Sequence, residues 1–297
     1  MKTAVIDLGS NSLRMGIYEK REGRLALVKQ YRFSTRLAEG LSQDNCLQPL
    51  PMKRTVEAFC KLKEILVENK IVLFRAVATE SLRRACNSEA FLIQVRQESG
   101  MVIEVISGEE ETRYGLYAAR CTTNAENFYM MDTGGGSCEI ALWHQNRLAD
   151  HVCLPFGSVV LTEQYRPDQN GVEPLASHIR SEFEKHRWMK PLGFPIVALG
   201  GSNRQLGKIS VHSGDVKVDG YRLSITHAQE IFQNILKTPV ADRVKIAGLE
   251  PTRIDTISAG LCPIFVLADL TASPEIIICE RSLREGIAAE LLGIGNE

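Results

Sequence analysis

One polar, glycine-containing stretch flanked by apolar runs occurs twice in the chain, and this repeat limits the folds open to it. The first copy is Val5-Ile6-Asp7-Leu8-Gly9-Ser10-Asn11-Ser12-Leu13-Arg14-Met15, and the second is Met130-Met131-Asp132-Thr133-Gly134-Gly135-Gly136-Ser137-Cys138-Glu139-Ile140. Asp7 and Asp132, Gly9 and Gly134, and Ser12 and Ser137 fall at the same places, each offset by 125 positions. Each copy reads as strand, tight turn, strand. Third strands are expected over 25–33 and 147–154.

After each meander the periodicity turns to alternating helix and strand. In the first half helices are expected over 51–69, 88–98 and 108–119, with strands over 71–78 and 102–106. In the second, helices are expected over 175–185, 228–236, 254–270 and 282–292, with strands over 194–199 and 275–279. The pattern is that of two similar α/β lobes, their glycine turns facing each other across a cleft. A length of 297 residues suits two domains, and 44% hydrophobic content supplies ordinary cores.

The turns suggest phosphate. Gly9-Ser10-Asn11-Ser12 and Gly134-Gly135-Gly136-Ser137 lack bulky side chains, so successive backbone N–H groups can converge on an anion. Asp7 and Asp132 end the strands that lead into them, where carboxylates attract a hard cation such as Mg²⁺. Glu139 follows Asp132 by seven residues across the hairpin and returns to the same region. No G-x-x-x-x-G-K-[ST] loop is present, nor a G-x-G-x-x-G opening a helix, which excludes a P-loop and argues against dinucleotide binding.

A net charge of -1 gives no overall positive field for nucleic acid. A polyanionic ligand must then be met by local basic residues and backbone amides. The N-terminal residues are too short an apolar stretch for a signal peptide, and no run approaches the ~18 apolar residues of a membrane helix. A cytoplasmic protein is expected, with neither nucleic acid nor membrane as partner. The eight cysteines show no C-x-x-C pairing and read as reduced, buried thiols rather than a zinc site or a disulfide framework.

Ser107-Gly108-Glu109-Glu110-Glu111 precedes a helix. Ser107 as N-cap with Glu110 three residues on makes a capping box, and acidic residues suit a helix N-terminus in any case. That accounts for Glu110 and leaves Glu109 to solvent. Glu111 is the carboxylate left for another task, and a carboxylate near a water beside Mg²⁺-bound phosphate can deprotonate it.

These segments resemble the signature of the exopolyphosphatase/guanosine pentaphosphate phosphatase family. So do Arg36-Leu37-Ala38-Glu39-Gly40-Leu41, Thr79-Glu80-Ser81-Leu82-Arg83-Arg84-Ala85, 154–163, Gly200-Gly201-Ser202-Asn203-Arg204 and Leu283-Arg284-Glu285-Gly286, all in family order. The resemblance implies a duplicated actin-like ATPase (ribonuclease H-like) fold in its short two-domain form. The expected lobes are 1–123 with 282–297, and 124–281. It further implies hydrolysis of the terminal phosphate of inorganic polyphosphate or guanosine pentaphosphate, with Mg²⁺, or Mn²⁺ in its place.

By motif position Glu111 resembles the family's catalytic base, and Asp132 and Glu139 its metal-binding carboxylates. Gly9, Ser10, Asn11, Ser12, Gly134, Gly135, Gly136 and Ser137 resemble its phosphate cradles. Arg83 resembles a basic phosphate contact. A homodimer would lengthen the track open to polyphosphate, though no residue specifies one. Glu280-Arg281 stands where the family usually has Asp-Gly, and Cys138 where it has Thr or Ser. Rival readings are an ATP-dependent sugar-kinase-like enzyme, a guanosine tetra- or pentaphosphate sensor with little turnover, and an actin-like filament protein.

Overall fold

The computed structural model describes residues 2–294. The chain divides into two compact units: one runs to residue 117 and takes in the chain again from Leu283, and the other is 118–282.

The first unit opens with β1 (Lys2–Leu8), β2 (Leu13–Arg21) and β3 (Arg24–Phe33), an antiparallel meander. There follow α1 (Leu41–Asp44), α2 (Pro49–Glu68), β4 (Leu73–Ala78), α3 (Glu80–Arg84), α4 (Ser88–Ser99), β5 (Glu104–Val105) and α5 (Gly108–Arg120). β4 and β5 add in parallel, giving the order β3-β2-β1-β4-β5. β1 carries the apolar residues Ala4, Val5, Ile6 and Leu8 on both its faces because both are covered. Ala4, Ile6 and Leu8 pack with Phe59, Leu62 and Phe91 of α2 and α4. On the other face Val5 packs with Tyr114 of α5 and with Leu283, Ile287 and Ala288.

The second unit repeats the plan with β6 (Phe128–Thr133), β7 (Cys138–His144) and β8 (Arg147–Leu154), then α6 (Ser158–Tyr165), α7 (Pro167–Asn170) and α8 (Glu173–Phe183). β9 (Ile196–Gly200), α9 (Gly201–Ser210), β10 (Arg222–Ser224), α10 (Ile225–Lys237), α11 (Ile257–Thr271) and β11 (Glu275–Ile278) complete it. α12 (Leu283–Leu291) belongs to the first unit. The second sheet runs β10-β11-β9-β6-β7-β8. Read from β8 inward, the order β8-β7-β6-β9-β11 reproduces β3-β2-β1-β4-β5, with the same antiparallel and parallel pairings. This is the duplicated actin-like α/β fold that the repeat and the resemblance led us to expect.

Differences are local. The strand expected over 102–106 shrinks to the two residues of β5. α9 arises where no helix was read, since Gly201 and Gly207 weaken its intrinsic propensity; burial of Leu206 and Ile209 supplies what propensity does not. The expectation that all cysteines are reduced and buried is corrected. Cys46 and Cys86 form a disulfide, and Cys121 is exposed. The segments carrying Cys46 and Cys86 are aligned by backbone and amide bonds. Cys86 N–H donates to Asn45 O at 2.8 Å, and the Asn87 side chain bonds Leu47 through both its oxygen and its nitrogen. No described helix is long and apolar enough to cross a membrane.

Candidate active site

Each glycine turn is closed by the same backbone bond. Gly9 N–H donates to Ser12 O at 3.1 Å, and Gly134 N–H to Ser137 O at 3.0 Å. In the first unit Ser81 Oγ donates to Ser10 Oγ at 2.7 Å, joining the turn to α3. In the second, Ser158 N–H donates to Gly134 O and Val159 N–H to Gly135 O, both at 2.9 Å, so the start of α6 rests on the turn. Gly157 makes that approach feasible, because a Cβ there would lie 2.6 Å from Gly135 C. At Gly9 a Cβ would meet only Ser12 O, at an ordinary 3.6 Å. The fold therefore does not demand glycine at position 9.

Residues paired across adjacent strands share a sheet face. Asp132 pairs with Glu139, and Glu139 with Cys153, so the three stand in one row across β6, β7 and β8. Glu139 is 1% exposed, and Cys153 Sγ donates to its Oε1 at 3.1 Å. Burial, reinforced by the fields of Glu139 and Asp132, pushes the Cys138 thiol well above its usual range. Gly200 ends β9 with φ of 92°, and a Cβ there would meet Thr133 O and Asp132 Oδ1. The Asp132 carboxylate thus lies against the β9–α9 junction.

The equivalent row in the first unit has different chemistry. Asp7 pairs with Arg14, and Arg14 with Arg32. Arg14, at the place Glu139 occupies in the second copy, donates from Nε to Ser12 Oγ at 3.2 Å. Arg284 of α12 is 5% exposed. Burial opposes its charge, but the fields of Tyr18, Glu285 and Asp7 prevail and hold its pKa above normal. Tyr18 Oη donates to Glu285 Oε1 at 2.6 Å, and its own pKa is raised well above 10.0, chiefly by burial. Arg14 was legible from the repeat, because the seven-residue step that finds Glu139 from Asp132 finds Arg14 from Asp7. Arg284 and Glu285 lie in the Leu283–Gly286 motif, which by itself gives neither of them a role.

At the start of α5 the expected capping box is formed. Glu110 N–H donates to Ser107 Oγ at 3.1 Å, and Ser107 N–H to Glu110 Oε2 at 3.0 Å. That bond and the Ser107 hydroxyl lower the Glu110 pKa. Glu111 turns away from this arrangement and is 9% exposed. Its Oε2 accepts from Arg83 NH1 at 3.0 Å. Arg83 NH1 also donates to Ile106 O at 2.8 Å, and its Nε and NH2 donate to Glu80. Burial works against the Arg83 charge, and the Glu111 and Glu80 carboxylates together more than offset it, so its pKa is raised. The structure therefore directs the Arg83 guanidinium at protein acceptors.

Among the described residues no group of three or more His, Cys, Asp or Glu side chains is arranged to hold a metal ion. Asp132 and Glu139 are a pair, and a pair fits Mg²⁺, which is ordinarily held by one or two carboxylates together with water and phosphate oxygens.

Comparison with known proteins follows the same lines. The solved Ppx/GppA family member of Aquifex aeolicus is 29% identical, over 100% of this chain and 99% of that one, with a TM-score of 0.84. An exopolyphosphatase from Cytophaga hutchinsonii is 20% identical over 100% of both chains, also at 0.84. An exopolyphosphatase-like protein is 22% identical over 97% of both, at 0.87. The profile of the Ppx/GppA phosphatase family matches residues 16–293, which is nearly the whole chain, and the chain belongs to that family.

Proposed function

We propose that this phosphatase hydrolyses the terminal phosphoanhydride bond of a linear polyanion, either inorganic polyphosphate or guanosine pentaphosphate. Water attacks the terminal phosphorus in line with the bridging oxygen. The P–O bond to that oxygen breaks, releasing orthophosphate and a chain shorter by one phosphate. Glu111 orients the water and takes its proton. The backbone N–H groups of the turns at Gly9–Ser12 and Gly134–Ser137 hold phosphate oxygens, stabilising charge as it shifts to the leaving oxygen. Asp132 and Glu139 would hold Mg²⁺, which when bound neutralises charge on the phosphate oxygens. Asp7, opposite Arg14 and in the field of Arg284, serves as an ion-pair partner rather than a metal ligand. Arg83 holds Glu111 rather than substrate.

One observation carries this reading: of the three consecutive glutamates at the start of α5, Glu111 alone is buried, and an arginine holds it. A phosphate-release assay with Mg²⁺ tests it on long polyphosphate, short polyphosphate and guanosine pentaphosphate. Release from at least one supports the proposal. Tight nucleotide binding without release would point instead to a sensor.

A further inference from the structure

The ion pair that places Glu111 continues one residue further. Glu80 opens α3 and Arg83 follows three residues later, so both side chains leave the same face of that short helix. Glu80 Oε2 accepts from Arg83 Nε at 3.1 Å and from NH2 at 2.9 Å. These two donors form one edge of the guanidinium plane. The remaining nitrogen, NH1, points to Ile106 O at 2.8 Å and Glu111 Oε2 at 3.0 Å.

A guanidinium is planar and rigid, so fixing one edge fixes the direction of the opposite arm. The three side chains are 13%, 20% and 11% exposed for Glu80, Arg83 and Glu111. A charge pair at that depth is screened less than one on open surface.

We propose that Glu80 is a positioning residue for hydrolysis. It grips the Nε edge of Arg83, which presents NH1 to Glu111 and sets the direction in which that carboxylate meets the attacking water. The inference rests on Glu111 being the base. An ion pair on a helix surface contributes little to stability and leaves kinetics alone. Displacing a catalytic group by about 1 Å costs on the order of 10²-fold in rate. The two roles therefore separate in kcat.

The test compares wild type, Glu80→Gln, Glu111→Gln and the double variant in phosphate release from polyphosphate with Mg²⁺. Glu80→Gln nearly preserves shape, and thermal melting of each variant confirms that it is folded. Glu80→Gln is expected to lower kcat about tenfold or more while KM stays within about twofold. Added to Glu111→Gln, the same change should cost less than about twofold, because a misplaced base is already absent. Glu80→Asp, which keeps the charge, should recover part of the loss. Wild-type kcat in Glu80→Gln, or an equal loss in both backgrounds, would overturn the proposal. Full turnover in Glu111→Gln alone would remove the base assignment, and the role of Glu80 with it.

Discussion

Glu139 on β7 pairs directly with Asp132 on β6, in the place where Arg14 on β2 pairs with Asp7 on β1 in the first copy of the hairpin. The same fold element thus carries two acids in one unit and an acid with a base in the other. Under the proposed function the acid pair is the one that would take a metal ion, and the acid–base pair would not.

Replacing Glu139 by Gln should therefore raise the Mg²⁺ concentration needed for half-maximal activity by about tenfold or more, since one of two anionic donors is lost. Replacing Asp7 by Asn should leave that concentration nearly unchanged. Metal titrations of phosphate release check both, and equal shifts in the two variants would contradict the difference between the two hairpins.

Glu111→Gln keeps the shape of the side chain and its approach to Arg83 but removes the ability to take a proton. Turnover should fall by about 10² to 10⁴, the usual contribution of a positioned base. The melting temperature should move little. Steady-state kinetics and a thermal scan on the same preparation decide it.

The glycines of the turns differ in what they are for. Gly9→Ala meets no clash, so stability should stay within about 0.5 kcal/mol. Activity should nevertheless drop, because a methyl group would occupy room left for phosphate. Gly157→Ala drives a Cβ into the Gly134–Gly135 backbone and should destabilise the protein by roughly 2 kcal/mol or more. Urea unfolding with parallel assays separates the two effects.

The Cys46–Cys86 disulfide closes a loop across a sequence separation of 40. Chain-entropy arguments place its contribution at about 3–4 kcal/mol. Cys46→Ser, Cys86→Ser, or a dithiol reductant should lower stability by that order, as urea melts would show. Non-reducing peptide mapping should recover the linked pair.

What could be read from sequence follows from where the information was local. The hairpins were legible because Asp, Gly and Ser recur at fixed offsets, and the two turns are closed by the same backbone bond. Glu111 was legible by its neighbours, since Ser107 and Glu110 satisfy each other and leave it over. The grip of Glu80 on Arg83 lay within a three-residue step, yet which face of α3 met α5 could not be read from it. Long-range pairings were hidden altogether. Cys46 and Cys86 carry no spacing signal, and their approach depends on Asn87 bridging to Leu47. Arg284 becomes an internal charge only once α12 has packed on β1.

The return of α12 to the first unit also bears on how the protein is made. Residues 118–282 are contiguous, so the second unit has all its strands as soon as they leave the ribosome. The first unit lacks Leu283, Ile287 and Ala288 until the whole of the second has been made, so Val5 and Tyr114 on that face of β1 wait for part of their packing. The unit that starts earlier in the chain is thus completed after the one that follows it, and part of the apolar face of β1 depends on that late return.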